Sequence, residues 1–199
     1  MAENKNVSRG RTTRAQLVEV ATRLFASRGY DGTSIEAVLA ESGVSRGSLY
    51  HHFKSKEALF LAVMEDAGTR AIQPTVEALQ AAPDPLAALR IAALAGIRLA
   101  CDPVLRQVML IDAPAVLGFE RWRELDEHGA LGILRTLLGG AAQAGRLDPG
   151  HVEAFAHLVL GAVNELSLMI AHAEDRSEAL AAGERALGDF LDRLFGAGA

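Results

Sequence analysis

The chain has 199 residues, half of them hydrophobic, so it can bury the core of one or two domains. Its only cysteine, Cys101, excludes a disulfide framework, and the sequence shows neither a signal peptide nor an uncharged apolar run near the roughly 18 residues of a membrane span. The formal net charge of −5 by itself argues against binding to nucleic acid, but the charge is not evenly distributed along the chain.

The chain is predicted to be all-α, because no segment alternates polar and β-branched residues with the period of a strand. Apolar spacing and capping residues predict helices over 13–28, capped by Thr13, then over 34–41 and 46–53. A longer helix follows Ser55 and is kinked or ended by Pro74. Three Asp-Pro pairs predict helices over 85–101, 103–111 and 149–173, and further helices over 119–144 and 177–195 bring the total to about nine.

Residues 34–53 have the pattern of two short helices around a tight turn. Ile35 and Val38 share one face of the first helix, and Gly43 stands where a helix end needs positive φ. Ser45 is placed to cap a second helix that turns Leu49 inward and is otherwise polar. This is the pattern of a helix-turn-helix, whose second helix enters the DNA major groove.

Charge divides the chain unequally. Residues 1–60 carry nine Lys and Arg against six Asp and Glu, and the remainder carries eleven against nineteen, so a segment of +3 precedes one of −8. A basic head before an acidic body is typical of a small nucleic-acid module joined to a larger domain with another task. The modest +3 indicates a few well-placed phosphate contacts rather than a broad basic surface.

The head resembles the tetracycline-repressor (TetR) family of bacterial regulators. The resemblance is carried by Leu24, Phe25, Gly29, Tyr30, Thr33, GVSRGSLYHHF at 43–53 and KSKEAL at 54–59. It implies a homodimer with an all-helical body, usually a repressor that a small molecule releases from DNA. It also implies that Lys56, in the first turn of its helix, contacts a phosphate.

The residues predicted to contact DNA lie at helix starts and along the second helix of the motif. They are Thr33, Ser34, Ser45, Arg46, Gly47, Ser48, Tyr50, His51, His52 and Lys56. The Arg46 guanidinium can fork onto guanine O6 and N7 or contact a phosphate, and Thr33 and Ser34 can also be simple helix caps. The arm with Arg9, Arg11 and Arg14 is open to two interpretations, a minor-groove contact or a disordered solubilising tail.

Residues 43–47 also fit G-x-S-x-G, the nucleophile elbow of α/β-hydrolases, which makes a serine esterase using Ser45 a remote alternative. That motif needs a preceding strand and a parallel sheet, and none is predicted, so we expect no enzyme. His51 and His52 are adjacent and point apart, and the three histidines between 151 and 172 lack a shared-face spacing. We therefore expect no metal and no cofactor.

The helix over 149–173 is apolar nearly all round, which predicts a surface for a second copy of the chain. With the last helix it is predicted to form a four-helix dimer interface through Val159, Val163, Leu166, Leu187, Phe190 and Leu194. An effector pocket is predicted in the body, because pockets combine apolar walls with few polar groups. Its predicted lining is Arg98, Met109, Phe119, Trp122, His128 and Asn164. Trp122 can instead pack against the first or fourth helix, and Asn164 can instead form a hydrogen bond at the dimer interface.

We therefore predict an all-α protein with a helix-turn-helix DNA-binding domain at 1–54, including the basic arm, and an effector-binding and dimerisation domain at 55–199. The predicted function is that of a cytoplasmic, bacterial, homodimeric transcriptional repressor. Its partners are double-stranded operator DNA and a small-molecule effector, without a membrane. The alternative is a ligand-independent autoregulator or activator with the same DNA head.

Overall fold

The computed structural model describes residues 2–118, 120–122, 124 and 129–196, with side chains from residue 12 onward. The described residues contain no strand, and the predicted all-α fold is confirmed. The helices are α1 Ala2–Arg28, α2 Ile35–Ser42, α3 Arg46–His52, α4 Lys56–Gln80, α5 Pro85–Arg98, α6 Pro103–Leu105, α7 Ala113–Leu117, α8 Ala130–Gln143, α9 Val152–His172 and α10 Arg176–Gly196. Leu99–Cys101 and Pro149–His151 form 3₁₀ turns, and Arg106–Asp112 is π-helical.

Side-chain caps explain why most helices begin where the sequence predicts. Ser34, Ser45, Asp84 and Asp148 each accept a backbone N–H from the turn that follows. The Ser55 hydroxyl accepts the N–H of Ala58 at the start of α4 over 3.1 Å. These starts are therefore confirmed.

Four helix predictions differ from the structure. Helix α1 begins at Ala2, so Thr13 lies inside it and is not its cap. Helix α4 runs through Pro74 to Gln80, and Pro74 is exposed, so water can satisfy the carbonyl that loses its partner. The helix predicted over 103–111 is instead α6, the π-helical stretch and α7. Residues 120–122 and 124 are helical, but Gly129 has a non-helical backbone and α8 begins after it, so the helix predicted over 119–144 is not continuous.

The chain divides into two compact units. The first comprises Met1–Arg70 with Pro103–Val116, and the second comprises Ala71–Asp102 with Leu117–Ala199. These units differ from the predicted domains at 1–54 and 55–199, since the first half of α4 and a later segment join the head. The functional assignment of those two domains stays a prediction.

The core of the first unit is built around aromatic rings from α1 and α4. Phe25 and Phe60 are fully buried and meet edge to face with ring centroids 5.2 Å apart. The Tyr30 ring meets Phe60 at 5.0 Å and stacks on Phe25 at 5.8 Å. Leu49, which has no exposed surface, anchors α3 in the core of this unit.

The core of the second unit is formed by α5, α8, α9 and α10. Its fully buried side chains include Leu89, Ile97, Leu131, Leu138, Ile170 and Leu187. Helices α5 and α9 approach closely at Gly96, where an added Cβ would lie 2.6 Å from Cγ1 of Val163. Close packing at this point therefore requires the absence of a side chain.

One helix in the described part of the chain, Pro149–His172, is long and apolar enough to cross a membrane by length and composition, and 28% of the relevant window is buried. The prediction that no such segment exists rested on uninterrupted uncharged runs, which Glu165 breaks. The absence of a membrane partner stays a prediction.

Candidate nucleic-acid interface

Helix α3 is amphipathic, with one face in the core and the other in solvent. Its inward anchors are Leu49 and, directly after the helix, Phe53, which is 3% exposed. Ser45, Arg46, Gly47, Tyr50 and His51 are exposed, and Ser48 and His52 are half-buried. The predicted DNA-contacting residues of this helix therefore share one accessible polar surface.

The turn between α2 and α3 fixes the direction of that surface. Gly43 has φ +66°, a left-handed conformation that favours glycine, and its N–H donates to the Leu39 carbonyl. The side-chain amide of Gln16 on α1 donates to the Ser42 carbonyl at 2.8 Å. The end of α2 is thereby tied to α1, and α3 is held in place by its turn and its core anchor.

Arg46 is paired with a residue that sequence analysis missed. Its Nη2 lies 2.8 Å from Oε1 of Glu36 on α2, and both side chains are more than half exposed. The carboxylate raises the pKa of the Arg46 guanidinium, and a backbone N–H and then Arg46 lower the pKa of Glu36. Glu36 therefore pairs with the guanidinium that is predicted to contact DNA. No sequence signal in a single chain marks a pair ten residues apart on two helices.

Lys56 lies in the first turn of α4, where the helix dipole favours an anion. Its Nζ stands 4.0 Å from the centroid of the Tyr30 ring, a cation–π contact. Lys56 as a whole is half-buried and its ammonium lies over an aromatic face, which is compatible with the predicted phosphate contact.

Thr33 is 1% exposed and does not face solvent. Its hydroxyl donates to the Gly29 carbonyl at 2.8 Å, and its N–H donates to the Tyr30 carbonyl at 3.2 Å. The prediction of a DNA contact was wrong for Thr33, because the hydroxyl closes the turn after α1. Ser34 is exposed and caps α2, so its DNA contact stays a prediction.

Ser45 lies in a helix-turn-helix and not in a hydrolase elbow. Its hydroxyl accepts the Ser48 N–H at 3.3 Å, and a helix, not a strand, precedes it. His51 and His52 meet edge to face, with ring centroids 5.2 Å apart. The described residues contain no group of three or more His, Cys, Asp or Glu that could hold a metal ion.

The basic arm is part of α1, and the side chains of Arg9 and Arg11 lie outside those described. The Arg14 guanidinium stands 5.3 Å from the centroid of the Phe53 ring, beside the end of α3. The helical backbone differs from a disordered tail, and the minor-groove contact of Arg9 and Arg11 stays a prediction.

The predicted effector pocket stays a prediction, and the surroundings of its predicted lining residues differ. Nε of Arg98 is exposed and donates to Oε1 of Glu184 at 2.6 Å. Met109 belongs to the first unit, whereas Trp122 and Asn164 are half-buried in the second. Phe119 and His128, also predicted to line the pocket, lie outside the described residues.

An open groove of about 370 Å³ lies in the first unit, and none of the predicted pocket residues lines it. It is lined by Arg14, Ala15, Val18, Glu19, Asp66 and Arg70. An ion pair of 2.6 Å joins Arg70 to Asp66 there, so the groove is more polar than an apolar effector pocket.

The predicted dimer surface is only partly available to a second chain. Val159 and Leu187 are 0% and 1% exposed within the single chain, so the prediction was wrong for these two core residues. Val163, Leu166 and Leu194 are half-buried, whereas Phe190 on α10 is 40% exposed. Leu158 and Met169 on α9, which sequence analysis did not name, are 59% and 52% exposed.

Leu158 and Met169 are eleven residues apart, which places them on the same face of α9. Sequence periodicity could not separate this face from the buried one, because both are apolar. We call Leu158, Met169 and Phe190 the exposed apolar face of the second unit.

Comparison with known families identifies the chain. The family of tetracyclin repressor-like C-terminal domains matches residues 86–194, more than half of the sequence, and the tetR family of bacterial regulatory proteins matches residues 17–63. The chain belongs to the TetR family. The resemblance carried by residues 24–59 is thereby confirmed, and α2, α3 and the start of α4 lie within the TetR helix-turn-helix match.

Two relatives show how the similarity is distributed. A TetR-family transcriptional regulator from Pectobacterium atrosepticum has a TM-score of 0.81 and 30% identity, over 94% of this chain and 96% of that one. The HTH-type transcriptional repressor AcnR of Corynebacterium efficiens is 37% identical over 65 residues, 33% of this chain. The chain covers only 35% of the length of AcnR, so that similarity concerns part of the repressor.

A third protein of similar fold was solved with a ligand. The transcriptional regulator FadR from Bacillus subtilis, in complex with stearoyl-CoA, has a TM-score of 0.75 and 20% identity over 89% of this chain and 96% of that one. At this identity the likeness concerns the fold.

Proposed function

We propose that this TetR-family regulator is a homodimeric repressor that binds operator DNA through α3 and the start of α4 and is released by a small-molecule effector. The observation that carries the proposal is the surface of α3, where Arg46, Tyr50 and His51 are exposed while Leu49 is fully buried. A short helix anchored by one face and polar on the other is suited to entering the major groove.

Arg46 and Lys56 have different tasks in this proposal. Arg46 lies in the first turn of α3, where its guanidinium can leave Glu36 and read a guanine. Lys56 contacts a phosphate and positions α3 without reading sequence. In the dimer, two copies of α3 meet successive major grooves about 34 to 36 Å apart.

The homodimer forms through the exposed apolar face. Leu158, Met169 and Phe190 are large apolar side chains that the single chain leaves at least two-fifths in water. A twofold axis beside α9 and α10 pairs this face with its own copy and forms a four-helix interface.

The effector acts by favouring dimers whose two α3 helices are wrongly spaced for DNA. AcnR carries the name of a repressor, and FadR was solved with stearoyl-CoA, which makes stearoyl-CoA the first probe to test. The repressor acts in the cytoplasm, without a membrane, a cofactor or an enzymatic reaction. The Ser45 hydroxyl caps α3, which supports a structural role for Ser45 and not that of an esterase nucleophile.

The test is binding of the protein to the DNA upstream of its own gene, measured by fluorescence anisotropy at several salt concentrations. We expect Lys56→Ala to weaken binding to all sequences and to flatten the salt dependence, whereas Arg46→Ala relaxes specificity. Arg70→Ala is the control, because Arg70 pairs within α4 with Asp66. Equal specificity of the wild type and Arg46→Ala would contradict base reading by α3.

The effector is tested in the same assay by adding stearoyl-CoA to the preformed complex. Release of DNA at saturating stearoyl-CoA supports an acyl-CoA effector, and unchanged affinity rejects this ligand. A complex that no metabolite extract releases would favour the ligand-independent autoregulator over the proposed repressor.

A further inference from the structure

A segment that is distant in sequence joins the DNA-binding head. Residues Pro103–Val116 belong to the first compact unit, although the residues on both sides of them in the chain belong to the second. The middle of this segment, Arg106–Asp112, is π-helical, a form that is frequent at functional sites. The chain therefore passes from the body into the head and back through this segment.

The carboxylate of Asp112 fastens the segment to the end of α1. Its Oδ2 accepts the backbone N–H of Tyr30 at 2.8 Å, and its Oδ1 accepts the side-chain amide of Gln107 at 3.0 Å. Gly29, with φ +70°, permits this approach, since an added Cβ would lie 3.3 Å from Nε2 of Gln107. Burial raises the pKa of Asp112, and the hydrogen bonds from the Tyr30 N–H and the Gln107 amide oppose this shift.

Tyr30 connects this junction to the DNA surface. Its backbone N–H is held by Asp112, its ring is fixed by Phe25 and Phe60, and the outer face of the ring lies 4.0 Å from Nζ of Lys56. The four-carbon stem of a lysine is flexible, and a fixed aromatic ring restricts the positions that its ammonium can take. The position of Lys56 therefore depends on where Asp112 holds Tyr30.

We propose that Tyr30 and Asp112 are positioning residues for the phosphate contact of Lys56, and that the segment 103–116 sets DNA affinity through them. The inference rests on the proposed function, since it assumes that Lys56 contacts DNA. Under this proposal, segment 103–116 affects the affinity for all DNA sequences alike and not the preference among them. The reason is that Lys56 contacts a phosphate of the DNA backbone, whereas Arg46 reads bases.

The experiment compares wild type, Asp112→Ala, Lys56→Ala and the double variant by anisotropy against operator and unrelated DNA. We expect Asp112→Ala to weaken both complexes by roughly fivefold to thirtyfold, counting both copies in a dimer, and to move the salt slope toward that of Lys56→Ala. The double variant should bind no more weakly than Lys56→Ala alone, because both changes remove the same contact.

Conservative variants separate positioning from folding. Asp112→Asn keeps an oxygen that accepts the Tyr30 N–H, and Tyr30→Phe keeps the ring, so both should retain binding within about twofold of wild type. Ile111→Ala, at the exposed neighbour, is the matched control. Thermal melting of every variant reports whether a loss of affinity reflects unfolding.

The outcomes distinguish this inference from the proposed function. If wild type binds no DNA specifically, or Lys56→Ala leaves the salt slope unchanged, the proposed phosphate contact fails. If Lys56→Ala behaves as expected but Asp112→Ala adds its full effect in the double variant, or leaves the salt slope of the wild type intact, only the positioning role is overturned.

Discussion

Replacing Leu158 by Ala tests whether the exposed apolar face is a dimer interface. Full burial of a leucine side chain stabilises by about 1.5 to 3 kcal/mol, and Leu158 leaves 59% of its surface in water. Covering this exposed 59% in a dimer contributes about 1 to 2 kcal/mol per protomer to the free energy of dimerisation. A twofold interface contains the residue twice. Since alanine keeps part of this surface, the dimer should lose about 2 kcal/mol, or roughly thirtyfold in its dissociation constant.

The measurement is sedimentation equilibrium over a wide protein concentration range. Ile72→Ala is the matched control, because Ile72 on α4 is 45% exposed but lies outside this face. Leu158→Glu should give monomers at micromolar concentration, since each protomer would bury an unpaired carboxylate at the interface. DNA affinity should fall with the dimer population, because a monomer reads one half-site.

The reasoning is refuted if Leu158→Ala and Ile72→Ala change the dissociation constant equally, or if Leu158→Glu stays dimeric. In that case the dimer forms elsewhere, and the proposed repressor needs a different interface.

Three further changes test the packing and electrostatics. Gly96→Ala should lower the free energy of unfolding by about 1 to 2 kcal/mol, measured by thermal unfolding, because the clash with Val163 exceeds the gain in helix propensity. Gly139→Ala should raise it by up to about 1 kcal/mol, because an added Cβ there would meet no atom within 4 Å. Thr33→Val should lower the free energy of unfolding by about 1 to 2 kcal/mol, because the Thr33 hydroxyl donates a hydrogen bond to the Gly29 carbonyl. It should leave the salt dependence of DNA binding unchanged. Hydrogen bonds from Arg135 lower the pKa of Glu153 from 4.5 to about 2, so its contribution to stability is present above about pH 4.5 and is lost as the pH falls towards 2. The melting temperatures of wild type and Glu153→Gln should therefore converge across that window, and a constant difference would exclude the ion pair as the cause.

Much of the DNA surface could be predicted from local signals. Local sequence predicts that Gly43 ends α2, that Ser45 caps α3 and that Leu49 is buried. The structure shows all three. Thr33 and Glu36 could not be assigned in the same way. A threonine before a helix start has the same sequence signature whether its hydroxyl faces a phosphate or a buried carbonyl, and only the turn after α1 decides between them.

The body shows the same limit over longer distances. An apolar helix such as α9 has no sequence period that distinguishes its buried Val159 from its exposed Leu158, because the neighbouring helices determine which side is covered. Arg98 was expected in a pocket, but its charge is taken by Glu184 on α10.

The sequence by itself determined most of the helix starts and caps, the helix-turn-helix and the TetR resemblance, since these depend on spacing within one or two turns. Only the tertiary structure decided that residues 103–116 join the head, that Asp112 holds Tyr30, and that Lys56 lies against the Tyr30 ring. Those contacts join residues up to 82 positions apart, and such pairs are selected by the packing of whole helices and not by local preference.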